Sequence, residues 1–295
     1  MNKEVKATGI VLLAGLAWGF QNVWVKMLSA YAFESMQITF VKLFIAALVL
    51  AIVQLIRNPK SLKIDIKDIW MFLGTGILSA TCYSFFGFYT TIHGGVALSE
   101  VLTYTSPIFV LIFSAIIFKE RITGKKVIAI VLTFLGCVLT AGLIGGGYRF
   151  ETIVVLTGLA AGFFWGLYTI FSRFALRKYE TMTVITWTFI VGAVSCIPFA
   201  GFPSLVSTTA QNPIIILWML CLGVLSAALP YFLYTTGLSM MEPSKASIIS
   251  SFELVVGSVA GMTLFNEPHD AGKIVGILVI LAAIIILNIN FKKKQ

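Results

Sequence analysis

The chain has 295 residues, of which 59% are hydrophobic and only 11% are charged. A soluble domain carries about 25% charged residues, so this chain has too little polar surface to cover a water-soluble globule. It is therefore predicted to be an integral membrane protein surrounded by the lipid bilayer. A net charge of +9 would favour nucleic-acid binding in a soluble protein. Here the charge is expected at the flanks of membrane helices, and nucleic acid is not an expected partner.

Apolar runs of the length needed to cross a bilayer recur along the whole chain. A membrane-spanning helix needs about 20 mostly apolar residues. Runs of this kind, bounded by charged or turn residues, predict an all-α membrane protein with ten transmembrane helices and short loops. In chain order the predicted spans cover residues 8–28, 35–56, 69–90, 95–118, 126–145, 152–173, 181–200, 213–239, 244–265 and 271–291.

Lysine and arginine are unevenly distributed between the two sets of loops. With a cytoplasmic N-terminus, 16 of the 21 fall on the inner side and only Arg149 and Lys273 fall on the outer side. Because positively charged loops stay in the cytoplasm, both termini are predicted to be cytoplasmic. The protein is thus expected as a multi-pass protein of the cell (plasma or inner) membrane. The first apolar run is too long for the core of a signal peptide, and we interpret it as a span.

The second half of the chain repeats the first at an offset of 147 residues. Trp18 and Gly19 correspond to Trp165 and Gly166. Further correspondences join residues 76–80 with 223–227, Glu120 with Glu267, and Lys126 with Lys273. The predicted domains are therefore residues 1–147 and residues 148–295, with five helices each. Because five is odd, the two repeats are expected to enter the membrane in opposite directions, which is an inverted-topology repeat.

Several motifs within this pattern match a known family. Residues 17–19 read Ala-Trp-Gly and recur as Phe-Trp-Gly at 164–166, and the fourth span runs from Ser-Pro-Ile-Phe at 106–109 to Phe-Lys-Glu-Arg at 118–121. The second copy of the latter motif, from 252–254 to 265–268, matches more loosely. Over its whole length the chain resembles the EamA-like (RhaT-type) branch of the drug/metabolite transporter superfamily.

The resemblance implies a transporter in which helices 1, 3, 4, 6, 8 and 9 line a central cavity that opens alternately to each side. Family members often have proline where this chain has Leu254, so a less kinked ninth helix is expected. The expected cargo is a small polar, zwitterionic or amphipathic solute, amino-acid-like by analogy with the family. Export is the preferred direction, and import or facilitated diffusion by the same fold stays open.

Charged residues inside spans are the strongest local indication of a site, because each costs about 2.5–3.5 kcal/mol on insertion scales. Glu253 lies near the middle of the ninth span. It is expected either to line the cavity or to act as a protonated hydrogen-bond donor to a neighbouring helix. Lys42 and Glu100 lie at similar depths near the outer side, where they could pair. Alternatively, Lys42 snorkels outward and Glu100 is a hydrated rim residue. Glu253 and Glu100 are the candidates for proton coupling.

Aromatic and small polar residues inside the spans complete the candidate site. A tyrosine deep in lipid needs a partner for its hydroxyl, so buried tyrosines usually point inward, although each could also be plain packing. Together with Lys42, the predicted substrate-binding residues are Trp18, Asn22, Tyr83, Tyr104, Trp165, Tyr168, Tyr231 and Ser250. Pro107 and Pro230 are predicted to interrupt helices and act as hinges. Glu120 and Glu267 fit either salt-bridged helix ends or gate latches.

The sequence contains no nucleotide-binding, zinc or hydrolase motif. No cofactor, metal or catalytic residue is therefore predicted, and transport would be passive or driven by an ion gradient. A membrane-embedded enzyme or a non-transporting scaffold is a weaker alternative. The expected partners are a small-molecule substrate and the lipid bilayer, with a homodimer as a further option.

Overall fold

The computed structural model describes residues 3–143, 150–264 and 271–288, and these residues are arranged almost entirely as helices. The α-helices in chain order are α1 (Lys3–Trp18), α2 (Gln21–Ser29), α3 (Ser35–Arg57), α4 (Ile69–Leu73), α5 (Cys82–Gly94), α6 (Val96–Thr103), α7 (Ser106–Phe118), α8 (Gly124–Thr140), α9 (Thr152–Ala175), α10 (Thr181–Cys196), α11 (Phe202–Gln211), α12 (Ile214–Leu220), α13 (Leu229–Leu238), α14 (Pro243–Ile249), α15 (Phe252–Leu264) and α16 (Ala271–Asn288). Short 3₁₀ turns cover Pro59–Leu62, Ile66–Asp68 and Ile197–Phe199.

Eight helical segments among the described residues are long and apolar enough to cross a membrane. They are Lys3–Ser29, Ser35–Arg57, Ile66–Gly94, Val96–Phe118, Thr152–Ala175, Thr181–Phe199, Ile214–Leu238 and Ala271–Asn288. The two other predicted spans correspond to α8, which has 17 residues, and to the pair α14 and α15, which are separate helices. The chain is thus a helical multi-pass membrane protein.

Three predicted spans are interrupted where a continuous helix was expected. The interruptions lie at Gly19–Phe20, Tyr104–Thr105 and Ser250–Ser251. At the second, the Thr105 hydroxyl donates to the carbonyl of Leu102 at 2.7 Å. Ser250 and Ser251 donate in the same way to the carbonyls three residues earlier, at 2.8 and 2.6 Å. Such hydroxyls compete with the backbone ladder. The ninth span is therefore broken without a proline, and the expectation of a less kinked helix was wrong.

The two prolines lie at different kinds of position. Pro107 lies in the first turn of α7, directly after a break in the helix, where a residue has no backbone hydrogen bond to lose. Pro230 lies at the start of α13 but inside the continuous helical segment Ile214–Leu238, so it is a mid-span proline. The irregularity precedes each proline: the break at Tyr104–Thr105 comes before Pro107, and a π-helical segment (Cys221–Ala228) comes before Pro230. A second π-helical segment, Gly74–Thr81, lies 147 residues before Cys221–Ala228.

Glycines allow close helix crossings at equivalent positions of the two halves. A Cβ on Gly15 of α1 would lie 3.0 Å from the backbone nitrogen of Glu253 in α15. A Cβ on Gly162 of α9, 147 residues later, would lie 2.4 Å from the Thr105 hydroxyl and 2.8 Å from the Leu102 carbonyl oxygen. Small residues of this kind let two backbones approach within the membrane. Each half therefore packs its first helix on the interrupted helix of the other half.

The long helix α3 separates two sets of loops. Near its start, the Gln37 side-chain amide donates at 2.8 Å to the hydroxyl of Ser204, which lies in the first turn of α11. Near its end, Gln54 donates to Ser61 at 2.7 Å and to Thr183 at 3.3 Å. Since 23 helical residues span about 35 Å, residues 58–68 and residues 200–212 lie at opposite ends of the bundle.

The loop at residues 58–68 is held to the second half by a charged cluster. Lys178 donates to the carboxylates of Asp65 and Asp68, the latter at 2.6 Å, and Tyr179 also donates to Asp68 at 2.6 Å. These hydrogen bonds raise the pKa of Lys178 above its usual value. Because the lysine is half exposed, solvent screens the pair. The cluster positions the loop and is expected to contribute little to stability.

Candidate functional site

A small cavity lies between helices of the two halves and is lined by two carboxylates. We call it the carboxylate cavity; its lining residues are Gln21, Asn22, Tyr83, Gly87, Phe88, Thr91, Ser99, Glu100, Thr103, Tyr104 and Glu253. It offers about 20 Å³ of space. Because one water needs about 10–15 Å³ by the same kind of measure, the cavity has room for about one water molecule.

Each carboxylate of the cavity accepts a hydrogen bond from the other side of the cavity. The Tyr104 hydroxyl, at the end of α6, donates to Glu253 Oε2 of α15 at 2.9 Å. The Asn22 amide of α2 donates to Glu100 Oε1 of α6 at 3.2 Å. The Thr91 hydroxyl of α5 in turn donates to the side-chain oxygen Oδ1 of Asn22 at 3.5 Å, at the limit for a hydrogen bond. Three predicted binding residues and both predicted coupling carboxylates therefore line the carboxylate cavity: Asn22, Tyr83, Tyr104, Glu100 and Glu253.

The interruptions of α1–α2 and α6–α7 place these groups. Asn22 follows directly on the break at Gly19–Phe20, and Tyr104 is itself the first residue of the break before α7. A broken helix can turn its side chains and carbonyls towards a cavity inside a membrane protein without exposing backbone to lipid. Glu253 lies in the first turn of α15, just after the break at Ser250–Ser251. Ser250 is buried at this break and donates to the carbonyl of Ser247.

Lys42 is fully buried beside the carboxylate cavity. Its ammonium donates to Gln21 Oε1 at 2.9 Å and to the Ser84 hydroxyl at 3.2 Å. It also lies 5.2 Å from the ring centroid of Tyr83 and 5.5 Å from that of Tyr231. Gln21 connects lysine and cavity, because its amide donates to the Tyr83 hydroxyl at 3.4 Å. The alternative in which Lys42 snorkels outward was wrong, since its side chain is enclosed by the protein.

The other predicted binding residues form an aromatic cluster at the centre of the bundle. Trp18 and Trp165, which occupy equivalent positions of the two halves, meet edge to face with ring centroids 5.1 Å apart. Tyr168 stacks on Trp165 at 5.2 Å, and Tyr231 lies 5.0 Å from Tyr168. Trp18, Trp165, Tyr168 and Tyr231 are all less than 9% exposed. These rings pack against one another, so the centre of the bundle is filled by side chains.

Two hydrogen bonds join α9 to α13 beneath this cluster. The Tyr168 hydroxyl is 2.7 Å from the Thr235 hydroxyl, and Thr169 is 2.7 Å from the Tyr234 hydroxyl. The Tyr231 hydroxyl, in contrast, is buried and has no hydrogen-bond partner among the described residues. A buried hydroxyl without a partner is costly and requires an explanation.

Sequence reasoning missed one residue of this site. Ser84 is a hydrogen-bond partner of Lys42, and its only signal was a serine inside an apolar run. At a helix end outside this site, Glu120 and Lys126 form a buried ion pair of 2.5 Å with both side chains 4% exposed. Glu120 also accepts from Ser244 of α14, which fits the predicted salt-bridged helix end. Its repeat partner Glu267 lies outside the described residues.

The fold and the site together indicate a class of protein. An apolar helical bundle with interrupted helices and charged side chains gathered around an internal cavity has the organisation of a membrane transporter. A model of the EamA-like transporter family matches residues 6–142 and again residues 152–289. The chain therefore belongs to the EamA-like transporter family, within the drug/metabolite transporter superfamily.

Related proteins extend over the same length. An "Uncharacterized transporter" of Archaeoglobus fulgidus is 26% identical and is aligned over 97% of this chain and 99% of its own. "Uncharacterized inner membrane transporter YicL" of Salmonella typhimurium is 23% identical, with 96% and 95% covered. "Uncharacterized transporter YoaV" of Bacillus subtilis is also 23% identical, with 97% of each chain covered. A crystal structure matches with a TM-score of 0.76, 18% identity and 96% coverage of both chains, which indicates the same fold.

Proposed function

We propose that the chain is a secondary transporter of a small polar or zwitterionic solute, and that it works by alternating access between two inverted repeats, residues 1–147 and 148–295. The observation that carries this proposal is the carboxylate cavity, where α2, α5 and α6 of the first half face Glu253 of the second half. A buried charge within a membrane protein is by default a functional group. Here both signs occur side by side, as the carboxylates Glu100 and Glu253 and the ammonium of Lys42.

The donors around Lys42 support a solute that carries an anionic group. Lys42 has three N–H donors, of which two are directed at the neutral acceptors Gln21 and Ser84. The Tyr231 hydroxyl nearby has no partner among the described residues. A solute carboxylate would supply acceptors for both groups. The ammonium of a zwitterionic solute could then face Glu253. Such a solute would compensate the charges of both Lys42 and Glu253.

Binding requires the aromatic cluster to open. A cavity for about one water cannot hold a metabolite, since ligand cavities usually measure about 300–1,000 Å³. We infer that the described arrangement is a closed state and that Trp18, Trp165 and Tyr231 separate when a solute enters. Pro107 and Pro230, each next to an irregular helical segment, are the proposed hinges of this movement.

Proton coupling is proposed for Glu253, with Glu100 as the second candidate. Glu253 accepts a hydrogen bond from Tyr104, which lies at the break before α7. Neutralisation of Glu253 by a proton would weaken its attraction to nearby cations and change the force between the halves. Protonation of Glu253 and movement of the break before α7 would thus be linked through the Tyr104–Glu253 hydrogen bond.

The inverted topology predicts that equivalent loop positions are exposed on opposite faces of the membrane. Lys60 and Ser207 are 147 residues apart, and both are exposed. In a background whose four native cysteines are replaced by serine or alanine, Lys60→Cys and Ser207→Cys should react with a membrane-impermeant maleimide from opposite sides. By the positive-inside prediction, only Ser207→Cys is labelled in intact cells. Labelling of both from the same side would contradict the inverted repeat.

The direction of transport follows from a metabolite survey. We expect deletion cells to retain a small polar metabolite that overexpressing cells release into the medium. Counterflow of that compound in proteoliposomes then tests transport directly. Retention in overexpressing cells would instead indicate an importer or facilitator of the same fold. If no compound changes and none undergoes counterflow, the proposed transport is wrong.

A further inference from the structure

A second, larger cavity lies at the C-terminal end of α9. It is formed where α7, α9 and α13 end and where α8 and α14 begin, and its volume is about 780 Å³. We call it the basic vestibule. Seven of its lining residues are cationic and two are anionic: Lys119, Arg121, Lys125, Lys126, Arg173, Arg177 and Lys245, with Glu120 and Glu242.

The two carboxylates of the basic vestibule are already engaged with a single cation. Lys126 lies 2.5 Å from Glu120 Oε1 and 3.0 Å from Glu242 Oε2. Outside the lining, Glu4 lies 2.5 Å from Lys245. The lining therefore carries a large excess of positive charge around an open volume. Like charges brought together in this way repel one another, so the arrangement favours a bound anion.

Two of the three arginines of the basic vestibule are held by contacts with the protein. Arg173 donates one N–H to the carbonyl of Leu238 at 2.9 Å, which restrains its guanidinium. Arg177 lies over the rings of Phe118 and Phe174, with centroid distances of 5.1 and 5.3 Å. A guanidinium has five N–H donors and binds phosphate or carboxylate oxygens through its in-plane edge. Stacking on aromatic faces leaves that edge available.

Lys119 adds a strained backbone position at the rim. It has a φ of +55° and ends α7 in the left-handed region. Non-glycine residues seldom adopt this conformation, and such strain is found at ligand sites more often than elsewhere. The strain turns the chain so that Lys119, Glu120 and Arg121 all line the basic vestibule.

We propose that the basic vestibule binds a phosphate-bearing anion. Several oriented cations around one cavity match the three charged oxygens of a phosphate group better than a lone carboxylate. The group could belong to an anionic lipid, since basic pockets between membrane helices bind lipid headgroups, or to a soluble phosphate compound. The lining of the basic vestibule shares no residue with that of the carboxylate cavity.

The test measures binding and needs no transport. The full chain is placed in nanodiscs of phosphatidylcholine and titrated with pyrophosphate while the midpoint of thermal unfolding is recorded, because a ligand of the folded state raises it. In parallel, native mass spectrometry counts phosphatidylglycerol molecules retained by the protein. The variant Arg121→Gln/Arg177→Gln removes two exposed cations of the basic vestibule. The matched control Lys60→Gln/Lys63→Gln removes two exposed cations elsewhere.

We expect the Arg121→Gln/Arg177→Gln variant to bind at least about tenfold more weakly than the wild type, with the control unchanged, since the variant loses charge-assisted hydrogen bonds to the anion. A response to pyrophosphate assigns the site to a soluble anion, and selective retention of phosphatidylglycerol assigns it to a lipid. No response to either probe overturns the proposal. An equal loss in the Lys60→Gln/Lys63→Gln control also overturns it, because binding would then follow general surface charge.

Discussion

Replacing Glu253 with glutamine is expected to abolish gradient-driven accumulation of the solute while counterflow continues. Glutamine has nearly the same size, and its carbonyl oxygen can still accept the hydrogen bond that Tyr104 donates at 2.9 Å. It cannot take up or release a proton. In proteoliposomes with an imposed pH gradient, the initial rate of accumulation should fall by at least about tenfold, as expected when the proposed proton-carrying group is lost. Counterflow without a gradient should stay within about twofold.

The matched control is Glu180→Gln. Glu180 is an exposed carboxylate at the start of α10, outside both cavities, and its removal should leave accumulation and counterflow unchanged. If Glu253 serves instead as a structural hydrogen-bond partner of Tyr104, then Tyr104→Phe should lower thermal stability, whereas Glu253→Gln should retain both stability and coupling. Unchanged accumulation with an unchanged pH dependence would exclude Glu253 as the coupling group. Glu100→Gln then tests the second candidate.

Much of the architecture could be predicted from the sequence because membrane spans are encoded locally. An apolar run of sufficient length forms a helix whatever surrounds it, since lipid offers no other partner for the backbone. This is why eight predicted spans recur as long apolar helices. The interruptions could not be found in this way. Two of the three contain hydroxyls, those of Thr105 and Ser251, which look like ordinary polar residues until the backbone carbonyls they bind are known.

The candidate site could be predicted as a set of residue types but not as an arrangement. Glu253 and Lys42 were identifiable because charge inside an apolar run is rare. Their partners were not, since Gln21 and Ser84 lie 21 and 42 residues from Lys42 in the chain. Trp18 and Trp165 were expected to line a cavity, whereas in the structure they pack edge to face. Composition identifies aromatic residues, but only the packing of helices decides whether a space remains between them.

The basic vestibule escaped prediction for a different reason. Its cations come from four separate helix ends, and six of the seven, all but Arg173, were already explained by the preference of positive charge for the cytoplasmic side. The preference of positive charge for the cytoplasmic side explains a cation by its position in the sequence and does not tell which cations lie together in the fold. Glu120 was the available signal, since a carboxylate among basic residues at a helix end has a specific partner. The structure identifies that partner as Lys126.

The second large effect is expected from adding one methyl group to Gly162. A Cβ at this position would lie 2.4 Å from the Thr105 hydroxyl, 2.8 Å from the carbonyl oxygen of Leu102 and 3.1 Å from that of Thr103. Two of these atoms belong to the backbone, so the clash cannot be relieved by a change of rotamer. Helix α9 must move away from the break between α6 and α7. Overpacking of this kind typically costs about 1–3 kcal/mol.

Gly9→Ala provides the matched control, because a Cβ at Gly9 of α1 would meet nothing within 4 Å. Alanine is favoured over glycine in a helix interior by about 0.8–1.0 kcal/mol, so this variant should be as stable as the wild type or more stable. The same chemical change should therefore lower the thermal unfolding midpoint at Gly162 and maintain or raise it at Gly9. Equal midpoints for the two variants would contradict the close crossing of α9 over the interrupted helix.

Gly162→Ala should also impair transport beyond its effect on stability. The displaced backbone at residues 102–105 includes Tyr104, whose hydroxyl reaches Glu253 of the other half. Moving the break therefore disturbs the link between the carboxylate cavity and the interface of the two halves. In samples held well below the unfolding midpoint, counterflow by Gly162→Ala should be slower than in the wild type, while Gly9→Ala should match the wild type. If Gly162→Ala is destabilised but carries solute at the wild-type rate, the interrupted helix has only a structural role.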